Sequence, residues 1–546
     1  MKRPALHAAV LVSALLGTLL GVVPAAQGRS SGGTAPHPTG AGEGVSLSAW
    51  RACSDPFLQS YTLECARLRV PLDYAHPDRG HITLAVTRRP HSSLADDYQG
   101  IMLTSPGGPG GSGTWMPAVA DYLPQGVGDT YDWIGFDPRG VGASEPALHC
   151  DDDFLGADRP SYAATTQQLR RTWLQRTRHY ARECGQSAAR RLLPFTTTQD
   201  TVRDMESLRA ALAQDRPAAG SKLNFYGFSY GSLLGEVYAG RYPQRVGRFV
   251  LDGVVDPTRT RQRADRAQLR GLERNRDRWF DYLAAHPRAF GLGGDPEQVR
   301  ADFVEVQRRL GRQPAAGGRL GPDELTDALL PVSYTVASWQ RLGRAYAALV
   351  RDGNGRPLLR EFLAEDGIDD NNYAARLASR CTDHAWPRRP PRPAPGQRGS
   401  LLAWSKVWYD APCRAWPAPH REPLDATVDG PVDGALRATI LLVNETQDAV
   451  TPYSGALRVR DRFPSARLIA GRDGTTHASS MSGVPCVDDA IAAYLRDGTA
   501  PPRRPLRGAD LTCPAVEPDV PGAPAAPRGL PDGLQQRLME AQHPGR

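Results

Sequence analysis

Gly227-Phe228-Ser229-Tyr230-Gly231 sets a serine between two glycines, directly after the apolar run Leu223-Asn224-Phe225-Tyr226 and before a helix-like run. The chemistry on offer is nucleophilic. A serine on a sharp strand-to-helix turn projects its Oγ forward, and glycine on both sides lets the backbone fold tightly without a Cβ clash. In a chain with 55 glycines the same letters also arise as an ordinary turn, so the reading depends on partners elsewhere. A hydroxyl needs a general base to take its proton, and the base needs an acid to hold its tautomer and orientation. The strand-like run from Ala438 to Val443 leads into Asn444-Glu445-Thr446-Gln447-Asp448, which predicts Asp448 in a loop at a strand's C-terminal edge. Beyond it, Gly471-Arg472-Asp473-Gly474-Thr475-Thr476-His477 predicts His477 in a loop after the next strand. Both candidates follow Ser229 in the chain, in loops after later strand-like runs, where an acid and a base could meet it at one sheet edge. Rivals for the acid are Glu445 at the strand end, Asp473 close along the chain to His477, and Asp252 and Asp256 after an earlier strand. His149, His384 and His420 lack the loop context and read as surface or cap residues.

A tetrahedral intermediate also needs N–H donors aimed at its oxyanion. The run Gly100 to Thr104 ends in Ser105-Pro106-Gly107-Gly108-Pro109-Gly110-Gly111-Ser112-Gly113, whose missing side chains let a substrate approach the backbone. The expected donors are the N–H of Tyr230, next to the nucleophile, and that of Gly108. The run is not a phosphate-binding loop of the G-x-x-x-x-G-K-[ST] type, because it lacks the lysine.

These residues must be positioned by a scaffold. Strand-like runs recur at Ala66–Val70, His81–Thr87, Gly100–Thr104, Tyr131–Phe136, Lys222–Tyr226, Arg248–Leu251, Ala438–Val443 and Ala466–Ile469, with helix-like stretches such as Val202–Ala213 and Ser232–Ala239 between several of them. The alternation predicts an α/β fold with a mainly parallel sheet. Core segments are expected at 45–257 and 432–513. Between them, 258–431 loses the strand signal and reads as a helical cap, with helical spacing over Ala264–Leu283, Glu297–Leu310 and Val336–Val350. The tail, 514–546, is Pro/Ala-rich with one short amphipathic stretch, Gly533–Ala541, to which the sequence assigns no role in catalysis.

The first residues are basic, Ala8 to Val23 are almost wholly apolar, and Val23-Pro24-Ala25-Ala26 offers small residues for cleavage. Residues 1–28 therefore read as a secretory signal peptide, followed by a Gly/Ser/Pro-rich linker or short propeptide at 29–44. Export with no stable membrane association after signal removal is the expectation, because later segments are not apolar enough to cross a bilayer. Eight cysteines in an oxidising compartment predict disulfides, and their grouping predicts Cys53–Cys65, Cys150–Cys184, Cys381–Cys413 and Cys486–Cys513. No C-x-x-C spacing supports a metal site, and the expectation is an enzyme with neither metal nor cofactor. The net charge of +7 comes from dispersed arginines, since Lys2, Lys222 and Lys406 are the only lysines, so a nucleic-acid partner is not expected.

Taken together, Ser105-Pro106-Gly107-Gly108-Pro109-Gly110, Phe136-Asp137-Pro138-Arg139-Gly140-Val141-Gly142-Ala143-Ser144 and Gly227-Phe228-Ser229-Tyr230-Gly231 resemble the proline iminopeptidase and tripeptidyl aminopeptidase branch of the α/β-hydrolases, and in particular the secreted actinobacterial tripeptidyl aminopeptidases. Arg380-Cys381-Thr382-Asp383 and Pro412-Cys413-Arg414-Ala415-Trp416-Pro417 resemble that group's cap, and the likeness runs from about Val45 to Cys513. The resemblance implies Ser229 as nucleophile, Asp448 as orienting acid and His477 as base, in an exopeptidase that releases short peptides, usually tripeptides, from a free N-terminus. Pro106 departs from the pattern, standing where many relatives have histidine. Asp137 and Arg139 read as braces for their loop. A carboxylate must pair with the substrate ammonium, and Asp383, Asp200, Glu206 and several acids of the cap are candidates. An esterase or lipase, a proline iminopeptidase and an endopeptidase remain alternatives on the same fold.

Overall fold

Strands buried on both faces are mainly apolar, and the runs at Gly100–Ser105, Tyr131–Phe136, Leu223–Phe228 and Ile440–Glu445 become such strands, whereas Glu64–Pro71 exposes alternate residues. The protein is described by a computed structural model over residues 44–542, apart from 157, 216–220, 259–260, 367–369, 388, 390–391, 422–437, 506 and 524–528. The expected signal peptide at 1–28 and the linker at 29–44, save Gly44, lie outside the described residues, as does the end of the expected cap.

Among the described residues one sheet has eleven strands: β1 (Ser46–Leu47), β2 (Arg51–Ala52), β3 (Glu64–Pro71), β4 (His81–Arg89), β5 (Gly100–Ser105), β6 (Tyr131–Phe136), β7 (Leu223–Phe228), β8 (Val246–Asp252), β9 (Ile440–Glu445), β10 (Arg467–Gly471) and β11 (Leu511–Cys513). The spatial order is β1-β3-β4-β6-β5-β7-β8-β9-β10-β11, with β2 also on β3. Pairing is antiparallel from β1 to β6 and parallel from β6 to β11. All residues of β5, β7 and β9 are buried. Successive side chains enter opposite cores: Phe225, Leu251 and Leu442 pack on one face, Tyr226, Val250 and Leu441 on the other. Because β5 to β10 run parallel, their C-terminal ends share one edge, and the loops leaving that edge carry the site.

Helix Tyr230–Arg241 follows β7 and is buried from Gly231 to Ala239, which its small and apolar residues permit. The interval between β8 and β9 is helical, as predicted, but it is not one body. Side chains from Trp279 to Phe362 form their own apolar core, whereas Tyr373, Leu377, Trp404 and Trp408 join the core beneath the sheet, where Trp173 stacks on Trp408 at 5.3 Å. The four bridges Cys53–Cys65, Cys150–Cys184, Cys381–Cys413 and Cys486–Cys513 are closed. No described helix is long and apolar enough to cross a membrane.

The tail departs from expectation. Helix Asp532–Gln542 returns to the sheet edge, where a Cβ on Gly111 would stand 2.6 Å from the Ala541 carbonyl oxygen. The stretch given no role in catalysis thus packs against the glycine loop after β5.

Candidate active site

Ser229 sits between β7 and the buried helix with φ 53° and ψ −120°, a strained turn that points its side chain off the sheet edge. The flanking glycines are required by space. A Cβ on Gly227 would lie 2.6 Å from the Gly231 carbonyl oxygen, and one on Gly231 would lie 2.8 Å from that of Ser105. The Ser229 N–H donates to the Asp252 carbonyl at 2.8 Å, tying the turn to β8.

Asp448 and His477 come from the loops after β9 and β10, and both are buried. His477 Nδ1 lies 2.8 Å from Asp448 Oδ2. The other carboxylate oxygen accepts from the backbone N–H groups of Val450 (2.8 Å) and Thr451 (3.0 Å), an Asx-type turn that fixes the carboxylate. Thr451 Oγ1 donates to Asp448 Oδ2 at 2.7 Å and lies 3.2 Å from His477 Nδ1. The His477 N–H is held by the Tyr334 carbonyl at 2.7 Å. His477 Nε2 is buried without a hydrogen-bond partner, and no bond joins it to Ser229 in this structure. Such bonds are often long before substrate arrives. Gly253, after β8, is packed so closely that a Cβ there would stand 2.7 Å from His477 Cε1.

The rival acids are engaged elsewhere. Glu445 accepts from the N–H groups of Thr476 and Val516, and burial pushes its carboxyl up to about 8. Asp252 takes the Ser480 N–H (2.7 Å) and hydroxyl (2.5 Å), with burial lifting it to about 6. Asp256 pairs with Arg458, and the Asp473 N–H donates to Thr446 Oγ1 in a turn of positive φ.

The glycine loop presses on the serine turn. A Cβ on Gly107 would lie 2.9 Å from Ser229 Cβ and 3.1 Å from the Tyr230 nitrogen. Gly108 and Tyr230 both border a cleft of about 600 Å³ that contains Ser229. Asp137 braces the far end of the loop, accepting from Ser112 Oγ (2.6 Å) and the N–H groups of Gly113 (2.9 Å) and Ala143 (2.8 Å). Arg139 holds Asp204 with two bonds of 2.7 and 2.6 Å.

Of Asp383, Asp200 and Glu206, Asp383 alone borders this cleft; the cap acid Asp265 borders it too but is paired with Arg380. Asp383 ends helix Asp370–Asp383 and accepts from the Thr198 N–H (2.9 Å) and hydroxyl (2.6 Å). No cation pairs with it among the described residues, and burial raises its carboxyl to about 6. Thr198 Oγ1 in turn lies 2.6 Å from the Tyr230 hydroxyl, so one threonine and one tyrosine side chain connect Asp383 to the residue after Ser229. Asp200 is paired with Arg203 and Arg421, and Glu206 with Arg209. His384, read as bland from sequence, also borders the cleft, while His149 and His420 are exposed. Sequence reasoning missed Thr451, Gly253, Arg376 and Gln542; the D-x-x-T spacing of Asp448 and Thr451 was the one local signal available. One described trio, His149, Asp152 and Asp370, brings possible metal ligands within 4.8 Å, but Asp370 already accepts from Tyr180 and the Cys150 N–H.

Comparison with known proteins follows the same lines. Residues 100–391 match the alpha/beta hydrolase fold family, and residues 400–513 match the family described as TAP-like protein. The chain is 31% identical over 488 residues to a tripeptidyl aminopeptidase of Streptomyces lividans, covering 85% of this chain and 86% of that one. It is 30% identical over 480 residues to the serine protease Hip1 of Mycobacterium tuberculosis, covering 80% and 86%. Over 528 residues it is also 30% identical to carboxylesterase B of Mycobacterium tuberculosis, covering 90% and 97%. With the sheet, the strained serine turn and these matches in agreement, the chain is an α/β-hydrolase and belongs to the tripeptidyl aminopeptidase-like family.

Proposed function

We propose that the protein is a secreted serine exopeptidase that removes short peptides, chiefly tripeptides, from a free N-terminus. His477 Nε2 takes the Ser229 proton as Oγ attacks the peptide carbonyl, and Asp448 on Nδ1 holds the tautomer and stabilises the imidazolium. The N–H groups of Tyr230 and Gly108 receive the oxyanion, and the dipole of the helix that starts at Tyr230 adds to their field. The imidazolium then gives its proton to the departing amine. Water, activated by the same histidine, attacks the acyl-enzyme and restores Ser229.

The observation that carries the exopeptidase reading is Asp383, a buried carboxylate in the serine cleft with hydroxyl and N–H partners only. A buried anion without a cation is costly, and a substrate ammonium would satisfy it. Length is consistent with tripeptide release. Gly108 O accepts from Arg376 Nη1 at 3.4 Å, and Arg376 lies on the same helix as Asp383, two turns earlier. Two turns rise about 10.5 Å, and three extended residues span about 10 Å. Export is supported by the signal-like N-terminus and by four disulfides in the structure.

Ser229→Ala tests the nucleophile: hydrolysis and fluorophosphonate labelling should both vanish in a folded protein, and retained turnover would remove Ser229 from the mechanism. The likeness to a carboxylesterase favours a second reading, an esterase with the same triad. A tripeptidyl anilide, its N-acetylated form and a short nitrophenyl ester separate the two. Loss of cleavage on acetylation supports the exopeptidase; turnover of the ester alone supports the esterase.

A further inference from the structure

Arg376 stands in the cleft wall without an anion among the described residues. It is 8% exposed and borders the same cleft as Ser229. Its Nε has no hydrogen-bond partner, Nη1 reaches only the Gly108 carbonyl at 3.4 Å, and its guanidinium lies 5.1 Å over the Tyr409 ring. It makes no ion pair among the described residues. Arg380, one turn on, shows the contrast: it holds Asp410 at 2.9 Å and Asp265 at 3.4 Å. Lys406 sits among the same charges, Arg376, Arg380, Asp265 and Asp410. Arg376 thus lies beside the glycine loop, in the middle of the helix and seven residues before Asp383.

Burying a guanidinium costs free energy unless an anion or a full set of acceptors meets it. Asp383 answers the substrate's ammonium; among the described residues no carboxylate answers Arg376. We propose that Arg376 is a specificity residue that binds a carboxylate of the substrate on the leaving-group side of the scissile bond, so that the preferred substrates are short peptides carrying an anion just beyond the cut. The carboxylate has two sources, the free C-terminus of a short peptide or an acidic side chain after the scissile bond. The inference rests on the exopeptidase reading above.

The test uses the full-length exported enzyme and tetrapeptides of one sequence, each ending either in a free acid or in an amide, with Glu or Gln as the fourth residue. The quantity read is the ratio of kcat/KM between partners of a pair within each enzyme. A charge-assisted bond predicts that the wild type prefers the carboxylate-bearing member by roughly ten- to hundredfold. Acid over amide identifies the C-terminus as source, and Glu over Gln in the amide series identifies the side chain. Arg376→Gln should bring the preferred ratio close to one, and Arg376→Lys should restore part of it. A wild-type ratio near one in both series overturns the proposal, as does a preference that survives in Arg376→Gln. A uniform fall in kcat with an unchanged ratio would also overturn it and leave Arg376 as a support for the Gly108 carbonyl. If Arg376→Gln does not fold, inhibition of the wild type decides: amino acids and dipeptides corresponding to the leaving group should inhibit more strongly as free acids than as amides, and equal inhibition rejects the proposal. Absence of cleavage of any free-amine peptide by an enzyme that still labels at Ser229 would instead reject the exopeptidase reading, and this inference with it.

Discussion

Gly253→Ala isolates what holds His477, the proposed base, in place. Gly253 has φ +66°, and a Cβ there would stand 2.7 Å from His477 Cε1 and 3.0 Å from Nδ1. Ordinary contact begins at 3.4 Å, so the imidazole must retreat by about 0.7 Å. It cannot retreat freely, because Nδ1 is tied to Asp448 at 2.8 Å and the backbone N–H to Tyr334 at 2.7 Å. A displacement of about 1 Å at a reacting group costs on the order of 10²-fold, so kcat should fall by roughly 10- to 100-fold with a smaller change in KM. The left-handed backbone adds about 1–2 kcal/mol of destabilisation. Gly353→Ala is the matched control, with φ +64° and no atom within 4 Å of the added Cβ. Both variants should melt earlier by similar amounts, and only Gly253→Ala should lose turnover of a tripeptidyl anilide and a short ester. Full activity in a folded Gly253→Ala protein, or equal losses in both variants, would refute the placement of His477 against this glycine.

Three further outcomes follow from the geometry. Burial raises the Asp383 carboxyl to about 6, so the anion proposed to pair with a substrate ammonium is present above that pH and is lost as pH falls through it. The kcat/KM ratio of a free-amine anilide to an amine-free ester cancels effects common to both substrates; it should fall about tenfold per pH unit below 6 and lose this limb in Asp383→Asn. Deleting residues 532–546 removes the helix packed on Gly108 and Gly111, and kcat for anilide and ester should drop together while fluorophosphonate labelling slows; unchanged kcat would free the loop from this support. Replacing Cys381 and Cys413 together by Ser opens a loop of 32 residues and should cost about 3–4 kcal/mol in unfolding free energy, with KM for free-amine peptides rising because Asp383 lies one turn or less from the bridge.

The sheet was legible because its strands are local signals: β5, β7 and β9 are apolar runs bounded by glycine or polar turns, and their burial is uniform. Strands β1, β2 and β11 were not, since two or three residues acquire strand geometry only from a neighbour, as Leu511–Cys513 does from β10. The order of Ser229, Asp448 and His477 could be read along the chain, yet Glu445 and Asp448 lie three positions apart, and only the fold shows that Asp448 meets His477 while Glu445 is taken up by the N–H groups of Thr476 and Val516. Asp383, Asp200 and Glu206 are equivalent as letters. What distinguishes them is whether an arginine already neutralises each, a property of tertiary packing. The same holds for Arg376, whose neighbour Arg380 is paired, and for the tail helix, whose Pro/Ala-rich setting gives no hint that it returns to the loop after β5.

The central claim, removal of short peptides from a free N-terminus through Ser229, is tested most directly by product masses. An unblocked decapeptide and its N-acetylated twin are incubated with the wild type and with Ser229→Ala, and the first products are weighed. The account predicts an N-terminal tripeptide from the unblocked peptide, no cleavage of the acetylated one and none by the variant. Internal cleavage of both peptides, or release from the acetylated one at the same rate, would contradict it.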